Sequence, residues 1–304
     1  MDDHAKQRLL IIGAEGFLGQ RLMLQLSRQF LITGCNHKDL DITSIDAVST
    51  CFVRQRPSIV LLCAALSDTG FAQTHPDLSA AINIMGACNV AKVSLKYGAR
   101  LIYMSSDQVY NGCQQSYPKQ EHVLLSPQTV YGQHKLEAEQ RIQAMLPDAV
   151  GLRLTWMYDT PQTLLRSNLN LLVQIQTAMQ EQRLLSFAVH EFRGLTNVWQ
   201  VANNMESILS LPGGIYNCGC LNDQDTYQTA VFAAKALGCN TPELLIRPDY
   251  ERYSENPRNL LMDTTKLQAY NIRFTSTYDG ILQTLLPSFR SDKKVDMHHL
   301  HPHL

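Results

Sequence analysis

The chain has 304 residues, 45% of them hydrophobic, which suits one α/β unit of two lobes with ample buried core. A formal net charge of −1 with no basic block excludes the electrostatic footprint of a nucleic-acid binder. Apolar runs such as 59–66 are too short to span a bilayer, and the polar residues 1–6 lack a leader's charged-then-apolar layout, so a cytoplasmic location with no membrane association is expected.

The chain opens with RLLIIGAEGFLG, an apolar strand running into Gly13-x-x-Gly16-x-x-Gly19, with an amphipathic helix over 17–30. Glycines at these points let the chain turn tightly, bring backbone N–H groups to a pyrophosphate and pack helix on strand. Gly13, Glu15, Gly16, Phe17, Leu18 and Gly19 are thus the first cofactor-binding candidates. Strand two, 31–35, leads into Asn36-His37-Lys38. An acid here binds the ribose of NAD, whereas a basic side chain accommodates the extra phosphate of NADP, so the missing acid and the lysine favour NADP(H) over NAD(H); a solvated turn lysine is the alternative. Asp41-Ile42 precedes a helix over 45–55 that Asp41 could also cap. Arg56-Pro57 stops that helix, and 59–65 reads as a buried parallel strand. Ser67 and Asp68 in the next loop are ligand candidates or a turn cap. His75-Pro76 begins a helix carrying Asn83 that Tyr97-Gly98 closes.

The stretch 101–140 holds the chemistry-bearing pattern. An apolar strand ends at Ser105-Ser106-Asp107, where ligands sit in open α/β sheets. From Ser126-Pro127 a helical pattern runs to 145, placing Tyr131 and Lys135 at i, i+4 on one face, with Glu137, Glu139 and Arg141 expected on the wet side. A hydroxyl, a phenol and an ammonium in convergence suit proton delivery to a carbonyl oxygen while hydride reaches its carbon. Ser106 would orient the carbonyl, Tyr131 donate the proton, and Lys135 lower the phenol's pKa. Tyr-x-x-x-Lys alone is also a common accident of amphipathic helices; the glycine turn upstream selects the chemical reading.

After a strand over 149–154, Trp156 and Tyr158 sit at its carboxyl end and Arg153 is expected to anchor the core edge. A long helix over 164–182 is expected in the smaller lobe. Arg193 reads either as a fork for a diphosphate or as a salt bridge to Glu191. A helix over 198–211 and a strand over 214–220 should return to the main sheet, another helix spans 226–237, and the polar segment 247–259, with Arg252 and Arg258, is expected to fold over the pocket. Eight scattered cysteines, only Cys218-x-Cys220 close together, read as reduced and structural; no metal site is expected. The histidine-bearing tail, 291–304, is expected to be disordered.

Gly13-x-x-Gly16-x-x-Gly19, Ser105-Ser106-Asp107-Gln108-Val109-Tyr110, Tyr131-x-x-x-Lys135 and Arg153-x-x-Trp156-x-Tyr158 together resemble the extended short-chain dehydrogenase/reductase superfamily, and within it the dTDP-4-dehydrorhamnose reductase family. Ala81-Ile-Asn83, Arg193-Gly194-x-Thr196, Gly214-Ile-Tyr216-Asn217 and Pro257-Arg-Asn259 extend the resemblance over nearly the whole chain. It implies an α/β fold, a doubly wound parallel sheet of the NAD(P)-binding Rossmann type over 1–158 with 195–220 returning to it, and a smaller, discontinuous substrate-binding lobe mainly within 159–290. It implies an NAD(P)H-dependent reductase of a keto group on a nucleotide-activated sugar, acting as a possible homodimer. Ser106, Tyr131 and Lys135 would be catalytic, with Lys135 also holding the nicotinamide ribose. Asp41, Ile42, Cys63, Ala64 and Ala65 would join Asn36, His37 and Lys38 around the cofactor, and Ser67, Asp107, Trp156, Arg193 and Arg258 would meet the substrate. The chain departs from the family at Leu62, Gly70, Phe71, Leu195 and Asn256. Those departures keep two alternatives open: an NADP-binding, non-catalytic subunit similar to the methionine adenosyltransferase regulatory subunit, which shares Pro257-Arg-Asn259 and Asp263-x-x-Lys266-Leu267, and a sugar-nucleotide epimerase or dehydratase.

Overall fold

A computed structural model describes residues 6–113, 117–161 and 165–286; the tail and its expected disorder lie outside them. Five short apolar runs, β1 (Arg8–Ile12), β2 (Leu31–Cys35), β3 (Ile59–Leu62), β4 (Arg100–Ser106) and β5 (Val150–Leu154), join β6 (Gly214–Cys218) in one sheet of order β2-β1-β3-β4-β5-β6. Every neighbouring pair is parallel. Continuous apolar runs form such strands because helices cover both faces. Alternation then divides the side chains: Leu9 and Ile11 of β1 join one core, Leu10 and Ile12 the other. The first core takes α1 (Phe17–Leu26), and the second takes α2 (Ile45–Gln55), the long helix α4 (Pro76–Tyr97) behind the short α3 (Thr69–Thr74), and α5 (Val130–Met145).

The chain leaves β1 for β2 on one side and returns to β3 on the other, so a crevice opens where the order reverses. The expected elements are present with shifted ends, and the shifts have local causes. Helix α1 stops at Leu26, short of residue 30. Helix α5 starts at Val130 rather than at Ser126-Pro127, because the Thr129 hydroxyl accepts from the Gly132 N–H and caps it there. The helix expected over 164–182 begins only at Leu171 as α6 (Leu171–Glu181): Asn170 accepts from the N–H groups of Leu172 and Val173 while donating to the Asp159 carbonyl, which fixes the start. Residue 164 of that expectation lies outside the described part.

The smaller lobe has its own core, with Tyr158, Leu172, Ile175, Phe187, Ala233 and Ile281 among its members. Its strands pair in twos, Leu185–Ala188 with Ile246–Asp249 and Glu191–Phe192 with Arg258–Asn259. It is discontinuous because α7 (Val198–Ile208) and β6 go back to the main sheet between its parts.

One buried polar joint ties the lobes, and a second braces the main sheet against α5. Arg21 of α1, 1% exposed, meets Asp159 at 2.9 Å, and Trp199 donates its indole N–H to the same carboxylate. Arg153 of β5 binds both oxygens of Glu139 and donates to the Tyr110 hydroxyl, which donates in turn to Asn217 of β6. Arg153 thus holds the core edge as expected, but Glu139 is not on a wet face: it is 3% exposed, because the sheet supplies it with a cation and the Ser105 hydroxyl. The apolar helix α4 is long enough to cross a bilayer by length and composition, which the run-length reading overlooked; 56% of its most apolar window is packed inside the fold.

Candidate functional site

The glycine turn lies in the crevice. Gly13 has φ +91°, open to glycine but strained for other residues, and a Cβ on it would stand 2.6 Å from the Ala64 backbone nitrogen. A Cβ on Gly19 would collide with the Gly13 carbonyl, so helix α1 sits directly on the turn. Gly16 caps α1 with no side-chain hydrogen bond, which leaves the first N–H groups of the helix directed outward, beside Glu15, Phe17 and Leu18. Gly13 and Ala14 donate to the Cys35 carbonyl, and Cys63 and Ala64 both donate to the Ile12 carbonyl. The ends of β1, β2 and β3 are therefore one backbone unit, with Ala65 following at its rim.

After β2, the Asn36 amide donates to Glu15 at 2.7 Å and its oxygen accepts from the Lys38 N–H, which closes the turn over the glycines. His37 and Lys38 are exposed at its edge. Asp41 accepts from the Thr43 N–H and hydroxyl, bonds that hold its carboxyl below the usual range. It does not cap α2; Ser44 does, accepting from Ala47. Ile42 is buried against Gly86, where a Cβ would leave it no room.

Ser106, Tyr131 and Lys135 come together at the carboxyl end of β4. All three are buried, and the Ser106 hydroxyl is close enough to the Tyr131 phenol to act on its pKa. Ser106 also accepts from the Gln108 N–H and donates to Asp107, which fixes its rotamer. The expected lowering of the phenol's pKa is reversed: burial, with the Asp107 charge adding to it, pushes it up, and the Ser106 hydrogen bond only moderates the rise. Lys135 responds to the same burial, which lowers its ammonium to about 8 against the opposing pull of Glu139 and Cys63. Burial likewise pushes the Cys63 thiol up to about 12. Lys135 lines a small cavity with Ala64, Asn83, Tyr103 and Ser105, so its stem fills the space between β4 and the end of β3.

Beside Ser106 a second cluster gathers four of the five expected substrate residues. Asp107 is bound by Arg193 at 2.8 Å, and Arg193 lies over the Trp156 ring with 5.2 Å to the centroid. Arg258 donates to Gln108 and to the Tyr253 hydroxyl and reaches Glu191 at 3.2 Å. Arg193 is 4.0 Å from Glu191, so the Glu191 bridge is secondary to Asp107. The Nε atoms of both arginines are buried with no partner among the described residues. The segment 247–259 does cover this cluster through Arg258 and Tyr253, whereas Arg252 stays exposed at its rim. Ser67 is apart from it, exposed before the Asp68 that caps α3.

Sequence reasoning missed Gln108 and Tyr253 as members of the cluster, and named Glu191 only as a partner of Arg193, not of Arg258. Gln108 was the most accessible, since it follows Asp107 in the strand-end motif. Two departures have physical accounts. Leu195 stands where a proline is usual and uses the N–H a proline lacks to donate to Thr277. Phe71, 43% exposed, stacks on His75 at 4.0 Å.

The family model of the RmlD substrate binding domain matches residues 7–290. Methionine adenosyltransferase 2 subunit beta of Xenopus laevis is 27% identical over 95% of this chain and 90% of its own. The dTDP-4-dehydrorhamnose reductase of Streptomyces griseus is 32% identical over 160 residues, 52% of each chain. The crystal structure of dTDP-4-dehydrorhamnose reductase from Bacillus anthracis in complex with NADP has a TM-score of 0.82 at 23% identity, covering 95% of this chain and all of that one, a likeness of fold.

Proposed function

The chain belongs to the RmlD substrate-binding domain family, and we propose that it is an NAD(P)H-dependent reductase of a keto group on a nucleotide-activated sugar. The observation that carries this reading is the burial of Ser106 beside Tyr131, with Lys135 one turn further on, next to a glycine turn where a Cβ on Gly13 or Gly19 would collide with backbone. The glycine turn and the open N-terminus of α1 fit a dinucleotide pyrophosphate, and the bound nicotinamide would supply the hydride. This chain's own residues do the rest. Burial keeps the Tyr131 phenol protonated at neutral pH, the form that can give a proton to a carbonyl oxygen. Ser106, placed by Gln108 and Asp107, would turn its one O–H from Asp107 to the same oxygen when the carbonyl is bound. Lys135 and Asn36 to Lys38 would hold the two riboses, and Lys38 supports NADP(H) over NAD(H). The protein would work in the cytoplasm, as a possible homodimer.

Oxidation of NADPH, followed by absorbance over a panel of dTDP- and UDP-linked 4-keto sugars, tests the proposal. Turnover that survives Tyr131→Phe would overturn the assignment of the donor. One observation favours a second reading. Arg193 and Arg258 are already paired with Asp107 and Glu191, which suits a pocket retired from catalysis in an NADP-binding subunit of another enzyme. No NADPH oxidation on any sugar, together with a stoichiometric enzyme partner in a pull-down, would select it.

A further inference from the structure

The helix that carries Tyr131 and Lys135 also reaches the end of β3 by a route that the proposed chemistry does not use. His134 lies between those two residues, half-buried, with its Nδ1 2.9 Å from the Ser79 hydroxyl. Ser79 is fully buried in α4 and accepts from the Asn83 amide at 3.1 Å. Asn83 sits in the π-helical turn Ala81–Gly86 and grips the backbone of Leu66 twice, its oxygen accepting from the Leu66 N–H and its amide donating to the Leu66 carbonyl, each at 3.0 Å. A continuous chain of hydrogen bonds thus runs from the catalytic helix to the stretch 63–66 that backs the glycine turn.

The donor count fixes its direction. The Leu66 N–H must meet the Asn83 oxygen, so the amide cannot be flipped, and both amide hydrogens are spent on Leu66 and Ser79. Ser79 therefore accepts from Asn83 and has one hydrogen left, which goes to His134 Nδ1. The ring is then neutral, with its proton on Nε2. A protonated ring would present N–H to Ser79 and strand the hydroxyl hydrogen in a site closed to water, at the expense of about one hydrogen bond. Burial already lowers the ring's pKa. The charged and titratable groups on the elements around it are Asp68 and His75 at the ends of α3, Asp77 on α4, Asp107 after β4, and Lys135 and Glu137 on α5; Glu137 is the charge that acts on the ring, in the raising direction.

We propose that neutral His134 is a positioning residue that locks the 63–66 stretch through Ser79 and Asn83, and that this lock is released on protonation. Its link to cofactor affinity rests on the function proposed above; the lock itself does not. Hydrogen–deuterium exchange of the peptide covering 62–68 reads it without any ligand. After correction for intrinsic rates, protection in the wild type should fall about fivefold from about pH 7.5 to about pH 5, the worth of one hydrogen bond. His134→Asn places an oxygen where Nδ1 stood and should keep full protection at both values, while Ser79→Ala should be unprotected at both. Wild-type protection that is independent of pH, or His134→Asn following the wild type, would overturn the lock. NADP+ affinity should track the exchange in all three proteins; equal affinities beside unequal exchange would overturn the link to the cofactor. A wild type that binds no dinucleotide would overturn the function proposed above, and the exchange comparison would still decide the lock.

Discussion

The two sides of the site are built differently. On the proposed cofactor side, backbone and short side chains at the ends of β1, β3 and β4 meet helices α1 and α5, and each partner lies near in sequence or in a neighbouring strand. On the proposed substrate side, charged side chains from three distant segments neutralise one another, and Arg193 and Asp107 are 86 residues apart. The first side is rigid because close approaches leave no freedom. The second is held by ion pairs whose formation depends on the smaller lobe docking correctly, and a ligand must either use those charges or exchange with them. Conserving a reaction while changing its substrate would need changes only on the second side.

The largest expected effect tests the first side. Tyr131→Phe should lower turnover by about 10²–10⁴, the usual worth of a positioned acid, with NADP+ affinity little changed. Next comes the brace inside the main sheet, on which the first side rests: Glu139→Ala leaves Arg153 buried and uncompensated and should lose about 3–5 kcal/mol in denaturant melts. A loss under 1 kcal/mol would mean that the pair contributes little to holding α5 on the sheet.

Two buried lysines also carry a charge that burial disfavours. Lys135 and Lys119 are each lowered to about 8, and Lys119 Nζ has no hydrogen-bond partner among the described residues. A lysine with a depressed folded pKa costs stability below that pKa and is relieved as pH rises toward the unfolded value. Stability from these groups should therefore climb between about pH 8 and about 10.5. Lys119→Met should flatten that climb and gain about 2 kcal/mol at neutral pH in thermal melts; no gain would place a compensating group beside the amine.

Smaller effects separate the sides directly. Arg193→Met should raise KM for the sugar nucleotide about tenfold while leaving NADP+ binding intact. Lys38→Ala should weaken NADPH a few-fold and NADH not at all, read by paired thermal shifts; equal shifts in the wild type would remove the preference for NADPH.

Sequence alone determined whatever is local. Apolar runs gave the buried strands, Gly13 and its two partners gave the turn, and the i, i+4 spacing put Tyr131 and Lys135 on one face, because strand burial, tight turns and helix periodicity depend on neighbouring residues. Tertiary structure decided the rest. Glu139 occupies what looked like a wet helix position, yet the sheet opposite supplies Arg153 and so buries it. Tyr131 was expected to be acidified by a nearby ammonium, but desolvation acts on phenol and ammonium alike, raising one and lowering the other. Arg193 does reach Glu191, but its shorter bond is to Asp107, a partner the sequence did not offer, since a long side chain's partner is set by which strand ends the topology brings together, and no spacing along the chain encodes that.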